Sequence, residues 1–173
     1  MTPDPHDGAA VEHFPFLAAD HDHALCSDGL MARAEAHCRD RGLNLSLPRR
    51  RVLGVLAGSH APLGAYEIID RLAETGPRPA PISVYRALGF LTEAGLAHRI
   101  ERLNAYVACG AAHGEVGALV FLICEQCRQV GEVAAQEVGF DLARIDAGVG
   151  FAPRSAAIEI IGLCAQCRRG AEA

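Results

Sequence analysis

Four of the seven cysteines form two C-x-x-C pairs, Cys124-Glu125-Gln126-Cys127 and Cys164-Ala165-Gln166-Cys167. Each pair follows an apolar run: Val120-Phe121-Leu122-Ile123 before the first, Ile160-Ile161-Gly162-Leu163 before the second. Two intervening residues let both thiolates of a pair reach one ion from a tight turn. Two such turns complete a tetrahedral four-sulfur set, which suits Zn²⁺ and leaves no position open for catalysis. A redox C-x-x-C needs only one pair and normally has a helix starting beneath it. An odd cysteine count in a chain that reads as non-secreted also argues against a disulfide framework.

The chain that must position these thiols has 173 residues, enough for one domain or two small ones. Half of it is hydrophobic, but only 5% is aromatic and Trp is absent, so aliphatic side chains must form most of the core. No apolar run is long enough to span a bilayer. Met1-Thr2-Pro3-Asp4-Pro5-His6-Asp7 lacks the basic-then-apolar order of a signal peptide, so a cytoplasmic location is expected. The net charge of −5 suits a nucleic-acid binder poorly, but its distribution is uneven. Residues 1–27 carry five acids and no Arg, giving −5; residues 28–107 carry eleven Arg and eight acids, giving +3; residues 108–173 carry five Arg and eight acids, giving −3. All sixteen cationic side chains are Arg, whose planar fork suits phosphate and guanine.

Residues 1–27 read as an acidic extension, with His and Asp in Asp20-His21-Asp22-His23 but no organised ligand spacing. A first helix is expected from Ser27 or Asp28 to Gly42, and a second from Ser46, with Pro48 in its first turn, to Gly58. A third covers Ala65–Glu74, and a fourth runs from Ser83 to Ala94, stopped by Gly95. A hairpin follows, Leu96–Ile100 and Ala105–Cys109. Beyond it, strands are expected at Val120–Ile123, Gln129–Val133 and Ala157–Gly162, with a helix at Ala135–Ala147. The expected fold class is α+β: a winged helix over residues 28–109, then a small α/β unit over residues 110–173. In such an arrangement one helix enters the DNA major groove and the hairpin touches the backbone.

Pro81-Ile82-Ser83-Val84-Tyr85-Arg86-Ala87-Leu88, then Leu91-Thr92-Glu93-Ala94-Gly95-Leu96, then the two cysteine pairs, resemble the ferric uptake regulator superfamily over about residues 30–169. Within it, Ser83–Leu88 and Asn104-Ala105-Tyr106-Val107-Ala108-Cys109 most resemble the zinc uptake regulator branch. The resemblance implies a homodimer with an N-terminal winged helix, a C-terminal dimerisation domain, and binding of double-stranded operator DNA when metal is bound. It further implies control of zinc-uptake genes, with about two zinc ions per protomer, one structural and one regulatory.

The resemblance places sensory ligands at His98, Cys109 and Glu132. An ion held by all three would fix one domain against the other. The branch has a fourth ligand, a His, eight residues after the cysteine; this chain has Gly117 there, and His113 is the nearby substitute, with water or another residue as alternatives. Iron-sensing relatives are His-rich just before the first C-x-x-C, where this chain has Gly117-Ala118-Leu119-Val120. A thiolate ligand also favours zinc over ferrous iron. The DNA-contact candidates are Arg49, Tyr66, Ser83, Tyr85 and Arg86. Arg86 and Tyr66 are expected at base edges, Arg49 and Ser83 at phosphate, and Tyr85 either at DNA or in packing. Asp70 matches a position that pairs adjacent dimers on DNA, but its Arg partner position is Ala73 here, with Arg71 nearby. Cys26 and Cys38 read as bystanders. The competing classes are an iron, manganese or peroxide sensor, and a thiol oxidoreductase; the chain shows no nucleophile–base constellation that would support an enzyme.

Overall fold

The structure is a computed structural model; it describes residues 16, 23–59, 61–110, 118–140, 148, 150–152 and 156–171. Helix α1 (His23–Asp40) starts before Ser27, the expected N-cap, because Ala24, Leu25 and Cys26 are all compatible with helix. It buries Leu30, Ala34 and Cys38, which recur every four residues. Gly42, at φ +65°, ends it: Leu43 N–H reaches the Cys38 carbonyl (2.8 Å) and Gly42 N–H that of Arg39 (3.2 Å).

Helix α2 (Leu47–Ala57) has a proline in its first turn and buries Val52, Leu53, Leu56 and Ala57. Helix α3 (Ala65–Glu74) follows Gly64, whose N–H donates to Glu67 Oε2 at 2.7 Å, and buries Ile68, Ile69 and Leu72. Helix α4 (Pro81–Glu93) starts two residues before the expected Ser83, since proline at the first helical position loses no hydrogen bond there. Its buried stripe is Val84, Ala87, Leu88 and Leu91. Gly95, at φ +69°, closes α4 and turns the chain into the hairpin.

Strands β1 (Ala97–Ile100) and β2 (Ala105–Ala108) are antiparallel, with His98 opposite Val107. A 3₁₀ turn (Glu101–Leu103) and Asn104 at φ +46° connect them. Leu63 pairs with Tyr106 through two 2.9 Å backbone bonds, an isolated antiparallel bridge that ties the chain before α3 to the hairpin. Together these elements form the expected winged helix.

The second unit is a sheet of order β4-β3-β5, with β3 (Leu119–Cys124) antiparallel to β4 (Val130–Ala134) and parallel to β5 (Ala157–Gly162). Both faces of β3 are covered. Phe121 and Ile123 pack with Ile100 and Val107 of the hairpin, while Val120 packs with Ala118, Val133 and Ala135 on the other side. The expected helix at Ala135–Ala147 is not continuous from its start. Ala135–Val138 is a single 3₁₀ turn, stopped by Gly139 at φ +75°, and residues 141–147 lie outside the described residues. A short helix α5 (Ala165–Ala171), not expected from the sequence, follows β5. Among the described residues, no helix is long and apolar enough to cross a membrane.

Candidate metal centres and nucleic-acid interface

Parallel pairing of β3 with β5 places Cys124 beside Gly162, so the turns leaving both strands emerge at the same end of the sheet. In the first turn Arg128 takes a left-handed φ of +62°, and its N–H returns to the Cys124 carbonyl at 2.9 Å. The second passes directly into α5. The result brings together Cys124, Cys127, Cys164 and Cys167, with all four Sγ atoms within 4.8 Å of one another. The Cys127 and Cys164 sulfurs are 3.9 Å apart. That is far beyond a disulfide bond and matches the edge of about 3.8 Å in a tetrahedron of thiolates around zinc.

The electrostatics suit a cation. Burial opposes ionisation of Cys124, but the backbone amides of Cys164, Cys127 and Gln126 outweigh it and lower the thiol pKa to about 6. Burial and the neighbouring sulfurs push Cys167 up to about 12, and burial pushes Cys127 up as well. One thiolate therefore forms readily and suppresses its neighbours until a positive charge joins them. Helix α5 does begin beneath the second pair, as a redox motif requires, but convergence of all four sulfurs favours the metal reading.

A second cluster sits where the hairpin meets the sheet. His98 on β1, Cys109 just after β2 and Glu132 on β4 offer one nitrogen, one sulfur and one oxygen within 4.8 Å of one another. His98 Nε2 lies 3.4 Å from Glu132 Oε1, with the two side chains only 17% and 12% exposed. Cys109 Sγ lies 3.9 Å from the same oxygen, and Gly110 N–H donates to Oε2 at 3.2 Å. The His98 ring tilts against Phe121, with centroids 5.2 Å apart. Because Val107 faces His98 across the hairpin, Cys109, two residues further on, points to the same side. Nitrogen, sulfur and carboxylate donors in a half-buried site fit a borderline divalent cation. His113 lies outside the described residues. Two neighbours were not expected from the sequence: Arg33 on α1, which donates to the Gly110 carbonyl at 3.3 Å, and Phe121.

On α4 the side opposite the core exposes Ile82, Ser83, Tyr85 and Arg86. Tyr85 is 46% exposed and Tyr66, near the start of α3, is 64% exposed, so packing does not account for either ring. Arg49 is engaged within the chain: its guanidinium lies 3.6 Å above the Phe90 ring and donates to the Asn44 carbonyl. Asp70 pairs with Arg78 at 2.7 Å, both side chains being well exposed.

The Ferric uptake regulator family model matches residues 40–161. The zinc uptake regulation protein of Escherichia coli is 37% identical over 138 residues, covering 80% of this chain and 81% of that protein. The ferric uptake regulation protein of Legionella pneumophila is 29% identical over 131 residues, 75% of this chain and 95% of that protein. A solved zinc uptake regulator complexed with zinc and DNA superposes with a TM-score of 0.77 at 35% identity, covering 85% of this chain and 98% of its own. The holo form of XcZur superposes at 0.71 with 34% identity, covering 82% and 99%. With most of its length matched by the family model and by these relatives, the chain belongs to the ferric uptake regulator family.

Proposed function

We propose that the protein is a zinc-responsive transcriptional repressor, acting in the cytoplasm, that binds operator DNA as a homodimer and controls zinc-uptake genes. The observation that carries this reading is the convergence of His98 and Cys109 on the hairpin with Glu132 on the sheet. These ligands belong to the two units, taken as residues 28–109 for DNA binding and 110–173 for dimerisation and metal binding. Residues 1–27 are an acidic extension, mostly outside the described residues. Zinc bound by the three would supply a cross-link between the units. Glu132 already joins them by meeting His98, so the same carboxylate senses the ion and orients the hairpin. His113 remains the candidate fourth ligand.

Cys124, Cys127, Cys164 and Cys167 hold the structural ion, giving about two zinc ions per protomer. The half-exposed Ile160, Ile161 and Leu163, on and just after an edge strand, support dimerisation there. Arg86, Tyr66, Ser83 and Tyr85 form the DNA-contacting surface, with Arg49 near phosphate once released from Phe90. The thiolate in the sensory set, together with likeness to a zinc uptake regulation protein, favours zinc over iron, manganese or peroxide sensing. The reading is of a regulator rather than an enzyme. The test is a zinc titration of DNA binding, using duplex selected from a random pool by the zinc-loaded wild type. Cys109→Ser should keep the structural zinc and lose the zinc dependence; superimposable curves would reject the sensory site.

A further inference from the structure

Glu159 makes a contact that the metal centres do not require. It lies on β5, level with Phe121 of β3, which is level in turn with Glu132 of β4. Glu132, Phe121 and Glu159 thus form one row across the sheet, on the face that meets the hairpin. The outer two are two strands apart, about 10 Å, so Glu159 stands outside the His98–Cys109–Glu132 cluster. Its carboxylate reaches the hairpin tip instead: Oε1 accepts from Glu101 N–H at 2.6 Å and Oε2 from Arg102 N–H at 3.2 Å. These are the leading amides of the 3₁₀ turn Glu101–Leu103, and leading amides have no acceptor inside their own turn. Between the two carboxylates, Ile100, Val107 and Leu103 pack on Phe121 and Ile123. The hairpin is therefore held at both ends, by Glu132 near its base and by Glu159 at its tip.

We propose that Glu159 is a metal-independent latch: a positioning residue that holds the hairpin on the sheet before the sensory site fills, and so sets the zinc concentration at which it fills. The proposal rests on the sensory reading of His98, Cys109 and Glu132. Only the docked hairpin brings those three ligands together. The apparent zinc dissociation constant is then the intrinsic one divided by the docked fraction of the metal-free protein. Losing the latch lowers that fraction. Two charge-assisted bonds to a half-buried carboxylate, discounted for solvent, correspond to a weakening of about three- to tenfold.

The test uses the full chain with the cysteine tetrad intact. Wild type, Glu159→Ala, Glu159→Gln and Cys109→Ser are titrated with zinc against a competing chelator, without DNA. Amide exchange at Glu101 and Arg102 is followed with the sensory site empty. Glu159→Ala should weaken only the second zinc, by the factor above, and speed exchange at both amides. Glu159→Gln, which keeps one acceptor oxygen, should fall between it and wild type. At saturating zinc, DNA binding of both variants should match wild type. Unchanged zinc affinity with unchanged exchange overturns the latch. So does loss of the tetrad zinc in both Glu159 variants, since that is a general structural defect. Cys109→Ser separates the two readings: if it retains the second zinc, the sensory assignment fails; if it loses it while Glu159→Ala titrates as wild type, only the latch fails.

Discussion

Replacing Cys124 by Ser should damage the second unit more than replacing Cys167, and the structure says by how much. Cys124 is 1% exposed at the end of the central strand, whereas Cys167 is half-exposed on α5. Either change removes a thiolate from the tetrad. The binding free energy of structural zinc in small domains is about 10–16 kcal/mol, comparable with the whole stability of a domain, so loss of the ion alone should unfold or loosen this unit. Cys124→Ser also leaves a buried hydroxyl where a sulfur accepted the Cys164 amide at 3.4 Å, adding about 1–3 kcal/mol. Acid should act in the same direction. Without metal, Cys127 and Cys167 have raised pKa values and stay protonated at neutral pH, so zinc loading must expel their protons and affinity should rise with pH. Below about pH 6 Cys124 protonates too, and zinc release should steepen. The assay is zinc per protomer and thermal melting, with chelator, across that range. Zinc retention with an unchanged melt in Cys124→Ser, or a pH-independent zinc affinity, would refute the reasoning.

Arg86→Ala should weaken binding to selected DNA by about 1–3 kcal/mol with zinc content unchanged; an equal loss on random duplex, in a side-by-side binding assay, would assign Arg86 to phosphate. Phe121→Ala removes a ring buried between hairpin and sheet and should cost about 3–5 kcal/mol in unfolding experiments, while also weakening the second zinc because His98 loses its support. A melt and a zinc titration both unchanged would mean that the hairpin does not dock on Phe121.

Helices α2, α3 and α4 were legible because their apolar stripes and punctuation agree: Pro48 sits in the first turn of α2 and Gly95 takes the left-handed φ that ends α4, though Pro81, expected as a breaker, proved to be the first residue of α4. The hairpin's turn falls where the two expected strands left it, between Ile100 and Ala105, and Asn104 there takes the φ of +46° that Asn tolerates. Element starts were less so. Helix α1 runs back past Ser27 because a good N-cap residue does not stop a helix whose preceding residues also favour one. The stretch after β4 misled: Ala134-Ala135-Gln136-Glu137 is composed of good helix formers, but Val138 leads straight into Gly139, where the backbone turns over. The four tetrad cysteines could be named from spacing alone. Glu159, Arg33 and the Phe121–His98 contact could not, because each depends on strand register or on how the two units face one another. Arg49 read as a phosphate contact; its stacking on Phe90 joins helices distant in sequence and leaves no local pattern.

The parallel pairing of β3 and β5 has a kinetic consequence. Cys124 and Cys164 are 40 residues apart, and without metal neither C-x-x-C turn meets the other until β3 and β5 have found their register. Closing a loop of that length costs about 4 kcal/mol of chain entropy, and parallel strands meet slowly because no tight turn guides them. Each turn alone, with only two residues between its thiols, can capture an ion early with half its ligand set. Zinc held by one turn then waits for the other: the loop must still close, but its first productive encounter is held by metal–thiolate bonds before the strands have paired. Refolding of the second unit should therefore accelerate with zinc at concentrations too low to alter its final stability, and the order of assembly would run from metal to sheet.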